Sequence, residues 1–137
     1  MTTRTDEKGQ GLVEMALILP VFILLIMGIF DLGRGILAAN TAAEAARQGA
    51  RYAVTFPSDT AGIQNAATTA AYGLTLSAST PISISEPSGA CIGNPVTVTV
   101  TGTFVPVTPL ISTFTGSSGI TIVRRTTMLI QSPGTGC

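Results

Sequence analysis

The sequence predicts an α+β protein in which one long N-terminal helix, membrane-spanning at first and then continuing as a stem, packs on a small antiparallel β-sheet. Three observations predict it. Residues 12–30 form an apolar run, an Ala-rich continuation reaches residue 56 without a proline, and β-branched residues alternate with Ser or Thr beyond residue 80. The 137 residues divide accordingly into a short polar start (1–9), a transmembrane helix (10–30), a helical stem (31–56) and a small α+β domain (57–137).

The apolar run carries one charge, Glu14, in 19 residues. At about 1.5 Å per helical residue it is roughly 28 Å long, close to the thickness of a bilayer's hydrocarbon core. Leu, Ile, Val, Phe and Met occupy every side of it, so it reads as a helix that faces lipid or other helices rather than a surface helix. A cleavable secretory signal, with "ILAANT" at 36–41 as its cutting site, is the rival reading. The run is too long for that, holds an acid, and continues as helix-favouring sequence through the site. Basic residues flank both ends, Arg4 and Lys8 before and Arg34, Arg47 and Arg51 after. Taken alone, that count favours a cytoplasmic stem.

Glu14 raises a question, because an ionisable group in a membrane helix is costly and is a functional candidate by default. Near a helix N-terminus the macrodipole and interfacial water ease the charge, so a tolerated capping acid is the plain explanation. The order Gly9, Gln10, Gly11, Leu12, Val13, Glu14 followed by an apolar helix resembles the class III signal of type IV prepilins. In that signal a membrane aspartyl peptidase cuts after Gly and leaves Glu as the fifth mature residue. The resemblance implies a cut between Gly9 and Gln10, with residues 1–9 as the prepilin leader and Glu14 as an assembly and register residue. An extended backbone at Gly9 would suit the cut.

Further features follow in order: Pro20 within the span, "FDLGR" at 30–34 and "AARQGARYA" at 45–53. With them, residues 9–54 resemble the N-terminal part of TadE-like proteins, pseudopilins of the tight-adherence (Tad/Flp) pilus system. Met15 stands where related pilins usually carry an aromatic. The resemblance implies a pilin-like fold, a cytoplasmic N-terminus, single-pass insertion in the cytoplasmic membrane, an exported C-terminal domain and a place in or beside the pilus. It also implies prepilin peptidase, other pilins and Tad assembly proteins as partners, in a hetero-oligomer.

The stem is Ala-rich with spaced charges. Asp31 precedes Arg34 and Glu44 precedes Arg47 by three residues, which predicts a solvated face. Ala39, Ala42, Ala46 and Ala50, with Ala43 and Ala53, form a low-relief stripe. Gly35 and Gly49 allow close backbone approach beside it. The stripe suits another subunit or the protein's own sheet equally well.

After "FPSD" at 56–59, a short helix is expected over 60–73. Strands are expected over 80–87, 95–107 and 120–130, giving three or four in all. Val96, Val98 and Val100 share the face best suited to the core. Arg124 and Arg125 must point to opposite faces of the last strand. The partly apolar loop 107–119 is a candidate contact surface. Cys91 and Cys137 lie beyond the apolar run, and export would let them form one disulfide tying the chain end to a loop; two separate thiols are the alternative.

Composition narrows the function. A tenth of the residues are charged, seven basic and seven acidic, so no basic face is available for nucleic acid. Histidine is absent, the acids are scattered, the two cysteines are far apart and the glycines form no phosphate loop. No catalytic residue, metal site or cofactor is therefore expected. The expected function is a structural and assembly subunit, a minor pilin or pseudopilin of a Tad-type pilus. The alternative is an exported adhesin or receptor-binding module that uses the helix only as a membrane anchor.

Overall fold

A single helix, α1 (Glu7–Thr55), supplies 49 residues. The computed structural model describes residues 7–86, 88–108, 111, 113, 119–135 and 137. Leader residues 1–6 and most of the loop expected as a contact surface lie outside the described residues. Good helix formers carry α1 through Pro20, whose missing amide leaves the Ala16 carbonyl without its usual donor. The helix ends where the chain turns at buried Pro57. There the amides of Gln131 and Ser132 from the C-terminal tail donate to the Val54 carbonyl at 3.0 and 3.3 Å. An exposed helix end thus gains partners from the far end of the sequence.

Helix α2 (Thr60–Ala70) begins at Asp59, whose side chain accepts the Gly62 amide at 2.9 Å. The Tyr52 hydroxyl donates to the other oxygen of the same carboxylate at 2.8 Å, which fastens the start of α2 to α1. These bonds hold the Asp59 carboxyl below its ordinary pKa, the Gly62 amide first and then the Tyr52 hydroxyl. Ile63 and Ala67 point inward.

The sheet contains β1 (Thr75–Leu76), β2 (Ile82–Ser85), β3 (Pro95–Phe104) and β4 (Ile120–Leu129). All pairings are antiparallel: β3 is central, β1 and β2 lie along one side of it, and β4 pairs along its full length on the other. Strand β1 is too short to be read from alternation. Strand β3 stops at Phe104, before Val105 and the buried Pro106, rather than at residue 107.

The core is formed by small residues of α1 against valines of β3. Ala42, Ala45, Ala46, Ala50 and Ala53 are fully buried together with Ile63, Ala67, Val96, Val98 and Val100. Each buried valine contributes roughly 1.5–3 kcal/mol, while the alanines contribute chiefly by letting α1 approach the sheet closely. Of the two readings of the alanine stripe, the structure takes the protein's own core at Ala42, Ala46 and Ala50. Ala39 is only partly buried. Arg124 and Arg125 lie on opposite faces, and both are exposed.

Candidate functional site

The two halves of α1 have different environments. From Gly9 to Met27 every residue is exposed, and the side chains from Leu12 to Phe30 have almost nothing of their own protein to pack on. Glu14 is exposed within this stretch. Gly9 and Gln10 are helical, so the extended backbone expected there is absent, and a peptidase cutting between them must first unwind the end of α1. Glycine makes that unwinding cheap, because its helical form costs about 1 kcal/mol relative to alanine.

At the exit of the apolar stretch, Asp31 is 3% exposed. Its carboxylate accepts the backbone amides of Val107 at 3.0 Å and Thr108 at 2.7 Å, 76 and 77 residues away, while Arg34 stands 3.5 Å from Oδ1. The solvated face expected for the Asp31–Arg34 pair is therefore corrected at Asp31. Its spacing to Arg34 is that of a surface pair, but the chain returning from β3 covers it. Arg34 extends over the Phe104 ring, 5.5 Å from its centroid. Glu44 and Arg47 are exposed and 3.7 Å apart, as a solvated pair should be.

The Thr108 hydroxyl beside the carboxylate, then the Val107 and Thr108 amides, hold Asp31 below its ordinary pKa. The two amides are the firmer cause, because the buried hydroxyl oxygen makes no aligned hydrogen bond. Depression gives the sign of the pH effect. The clamp is complete above the unfolded pKa and is lost as pH falls through the lower folded value. Asp31→Asn is expected to lower the protection of the Val107 and Thr108 amides, relative to their intrinsic exchange rates, at neutral pH, and to abolish the loss of protection that the parent shows in acid. Parent-like protection in the variant would exclude the carboxylate as the clamp.

Below this clamp an open apolar cavity of about 510 Å³ is lined by Gly28, Leu32, Gly35, Ile36, Phe104 and Ile122, among others. Deeper in the core, Gly49 packs tightly against β3 and α2. A Cβ there would stand 3.0 Å from Val98 Cγ1 and 3.1 Å from Ala67 Cβ. At the far end, Cys91 and Cys137 form a disulfide across 46 residues. Beside it, the Gly134 amide donates to the Ala90 carbonyl at 2.8 Å and the Thr135 amide to Ser58 Oγ at 2.7 Å. Among the described residues, no group of three His, Cys, Asp or Glu side chains is placed to hold a metal.

Residues 9–51 match the TadE-like protein family. No curated protein and no solved structure matches the chain. The TadE-like segment begins at Gly9 and ends at Arg51, so it takes in the unpacked half of α1, the Asp31 clamp and most of the alanine stripe, and leaves out the sheet. Its "AARQG" portion alternates residues that meet the core (Ala45, Ala46, Gly49) with exposed Arg47 and half-buried Gln48. Over those residues the chain is similar to the TadE-like family. Among the described residues, one helix is by length and composition long and apolar enough to cross a membrane.

The residues singled out from the sequence do not converge. Gly9, Gln10 and Glu14 stand on the free half of α1, Ala42, Ala46 and Ala50 in the core, and Cys91 with Cys137 at the opposite end. The Asp31 clamp and the Tyr52–Asp59 bond went unread, and Gly49 was read as a close-approach position without its partners. The one available signal was an acid placed immediately after the apolar run.

Proposed function

We propose that the chain is a minor pilin or pseudopilin of a Tad-type pilus, cut between Gly9 and Gln10 by a prepilin peptidase. Its N-terminus is cytoplasmic, its sheet domain is exported, and it assembles with other pilins and Tad proteins. One observation carries the reading. α1 packs one face of its second half on its own core and leaves its first half, with Glu14, free for lipid and neighbouring helices.

Cutting at Gly9 frees an α-amine on Gln10, five residues into a register with Glu14 counted inclusively. Packed among other apolar helices, the amine of one subunit and the Glu14 carboxylate of the next compensate each other. Either charge left alone there would be costly. The pair therefore selects one axial register between helices.

Intact and N-terminal peptide mass spectrometry on protein from native membranes, without reductant, tests the reading. A terminus at Gln10 is expected, and its mass must show the free amine. Cyclisation of Gln10 with loss of ammonia would remove the amine and overturn the pairing. A terminus at residue 1 or 2 would favour a plain anchor for a binding module, and one near Asn40 a secretion signal. Glu14→Ala is expected to be processed normally yet to reach the sheared pilus fraction at least about tenfold less, a difference of roughly 1.4 kcal/mol or more.

A further inference from the structure

The sheet has two open edges with unmatched charge. Among the described residues, β4 pairs only with β3, and Arg124 and Arg125 in its middle have no acidic partner; nor has Arg51 on the neighbouring flank of α1. On the opposite side, β2 also pairs only with β3. Directly after it stands Glu86. From Asp31 onward, it is the described acid whose side chain has neither an ion pair nor a hydrogen bond, since Asp31 holds the β3 exit, Glu44 meets Arg47 and Gln48, and Asp59 caps α2. Open strand edges offer unpaired amides and carbonyls to another chain.

We propose that the β4 edge of one subunit receives the β2 edge of a second copy of this chain, with Glu86 set against Arg124 and Arg125. This rests on the reading of the chain as a membrane-anchored assembly subunit, because a shared anchor orientation restricts which edges can meet. Gly35 lies beside Phe104 and Gly49 beside Val98, so β3 runs against α1 while β2 and β4 run with it. Copies inserted in one membrane with the same polarity hold their α1 helices parallel and must join edges as parallel strands. Joining β4 to β4 would set arginine against arginine, and joining β2 to β2 would set Glu86 against itself. The mixed junction alone brings opposite charges together.

The junction also sets a stagger. Ile82 is level with Val100 and Arg124 in the registers, which places Glu86 near the level of Met128. Bringing Glu86 to Arg125 or Arg124 moves the neighbour three or four residues along the strand, roughly 10–13 Å, towards the membrane. A head-to-tail contact with an axial step propagates as an open helical array rather than closing as a flat ring.

The test uses the full chain in native membranes, with Arg124→Lys and Arg125→Lys to supply amines in place of guanidinium groups. A zero-length carbodiimide reagent then joins a carboxylate to an amine that touches it. With isotopically heavy and light chains co-expressed, the expected product is a heavy–light peptide pair joining the Glu86 segment to the substituted segment, lost when Glu86→Gln is added. Links found only within single copies, or a link from β4 to a different protein, would overturn the proposal. So would absence of the linked pair while the protein still enters the pilus fraction, which leaves the assembly reading intact. Absence of the protein from that fraction and of every chain-to-chain link would count against both.

Discussion

Gly49→Leu is expected to destabilise the packing of the sheet domain on the stem strongly, while Gly49→Ala leaves it close to the parent. The site is where α1, α2 and β3 meet, and even a Cβ would press on Val98 and Ala67 at 3.0 and 3.1 Å. Alanine adds only that atom. The roughly 1 kcal/mol gained in helix propensity offsets the small adjustment it demands. Leucine adds three more carbons to a buried position with no free volume, which costs typically 1–3 kcal/mol and more where the neighbours cannot move. Here they are backbone-anchored alanine and a β-branched valine. For a domain of this size the loss corresponds to a fall in melting temperature of roughly 10 °C or more, measured on the detergent-solubilised full chain by near-ultraviolet dichroism or protease resistance. A melting point within a few degrees of the parent would show that α1 can shift away from β3, contrary to the packing described.

Removing the disulfide is expected to have a comparable effect by a different route. The bridge closes 46 residues, for which the loop-entropy model gives about 4 kcal/mol, with measured values for such bridges commonly nearer 2–4. Its loss also frees the tail whose Gln131 and Ser132 amides cap α1, so fraying should begin at the stem's distal end. Cys137→Ser, with Cys91→Ser to avoid a stray thiol, should lower the melting temperature by at least about 10 °C. It should also speed amide exchange first at residues 131, 132 and 134. Uniform loss of protection across the sheet, or no loss, would contradict a tail fastened by the bridge.

The architecture was legible because its signals are local. Val96, Val98 and Val100 alternate with threonines, the alanines recur at helical spacing, and the apolar run is continuous. Each pattern can be read within a dozen residues. Asp31 could not be read in that way. Its spacing to Arg34 is that of a surface pair, and its real partners are backbone amides 76 and 77 residues later, which carry no side-chain signature. Gly49 was noticed as a small residue, but whether it faced a neighbour or its own sheet depended on where α2 lay. The Tyr52–Asp59 bond needed the turn at Pro57 to bring α2 back against α1. Strand β1, two residues long, is below the length at which alternation means anything. Glu14 was visible from sequence because a charge among apolar residues needs no partner to be conspicuous.

α1 is one uninterrupted helix from the apolar end to the far edge of the core, about 73 Å at the usual rise. No flexible joint separates the anchor from the folded domain, so an axial pull on the anchor becomes shear along the face where alanines meet valines. Shear loads those contacts together rather than peeling them one after another, and the bonds from the tail to Val54 oppose the same displacement. The Asp31 clamp adds a second attachment close to the membrane end. Torsion follows the same path, so the domain must turn with its anchor. If the apolar half of α1 is held in a membrane, as proposed, the chain transmits mechanical load across that boundary as a stiff element, and its first point of yield under tension should be the α1–sheet face rather than the helix itself.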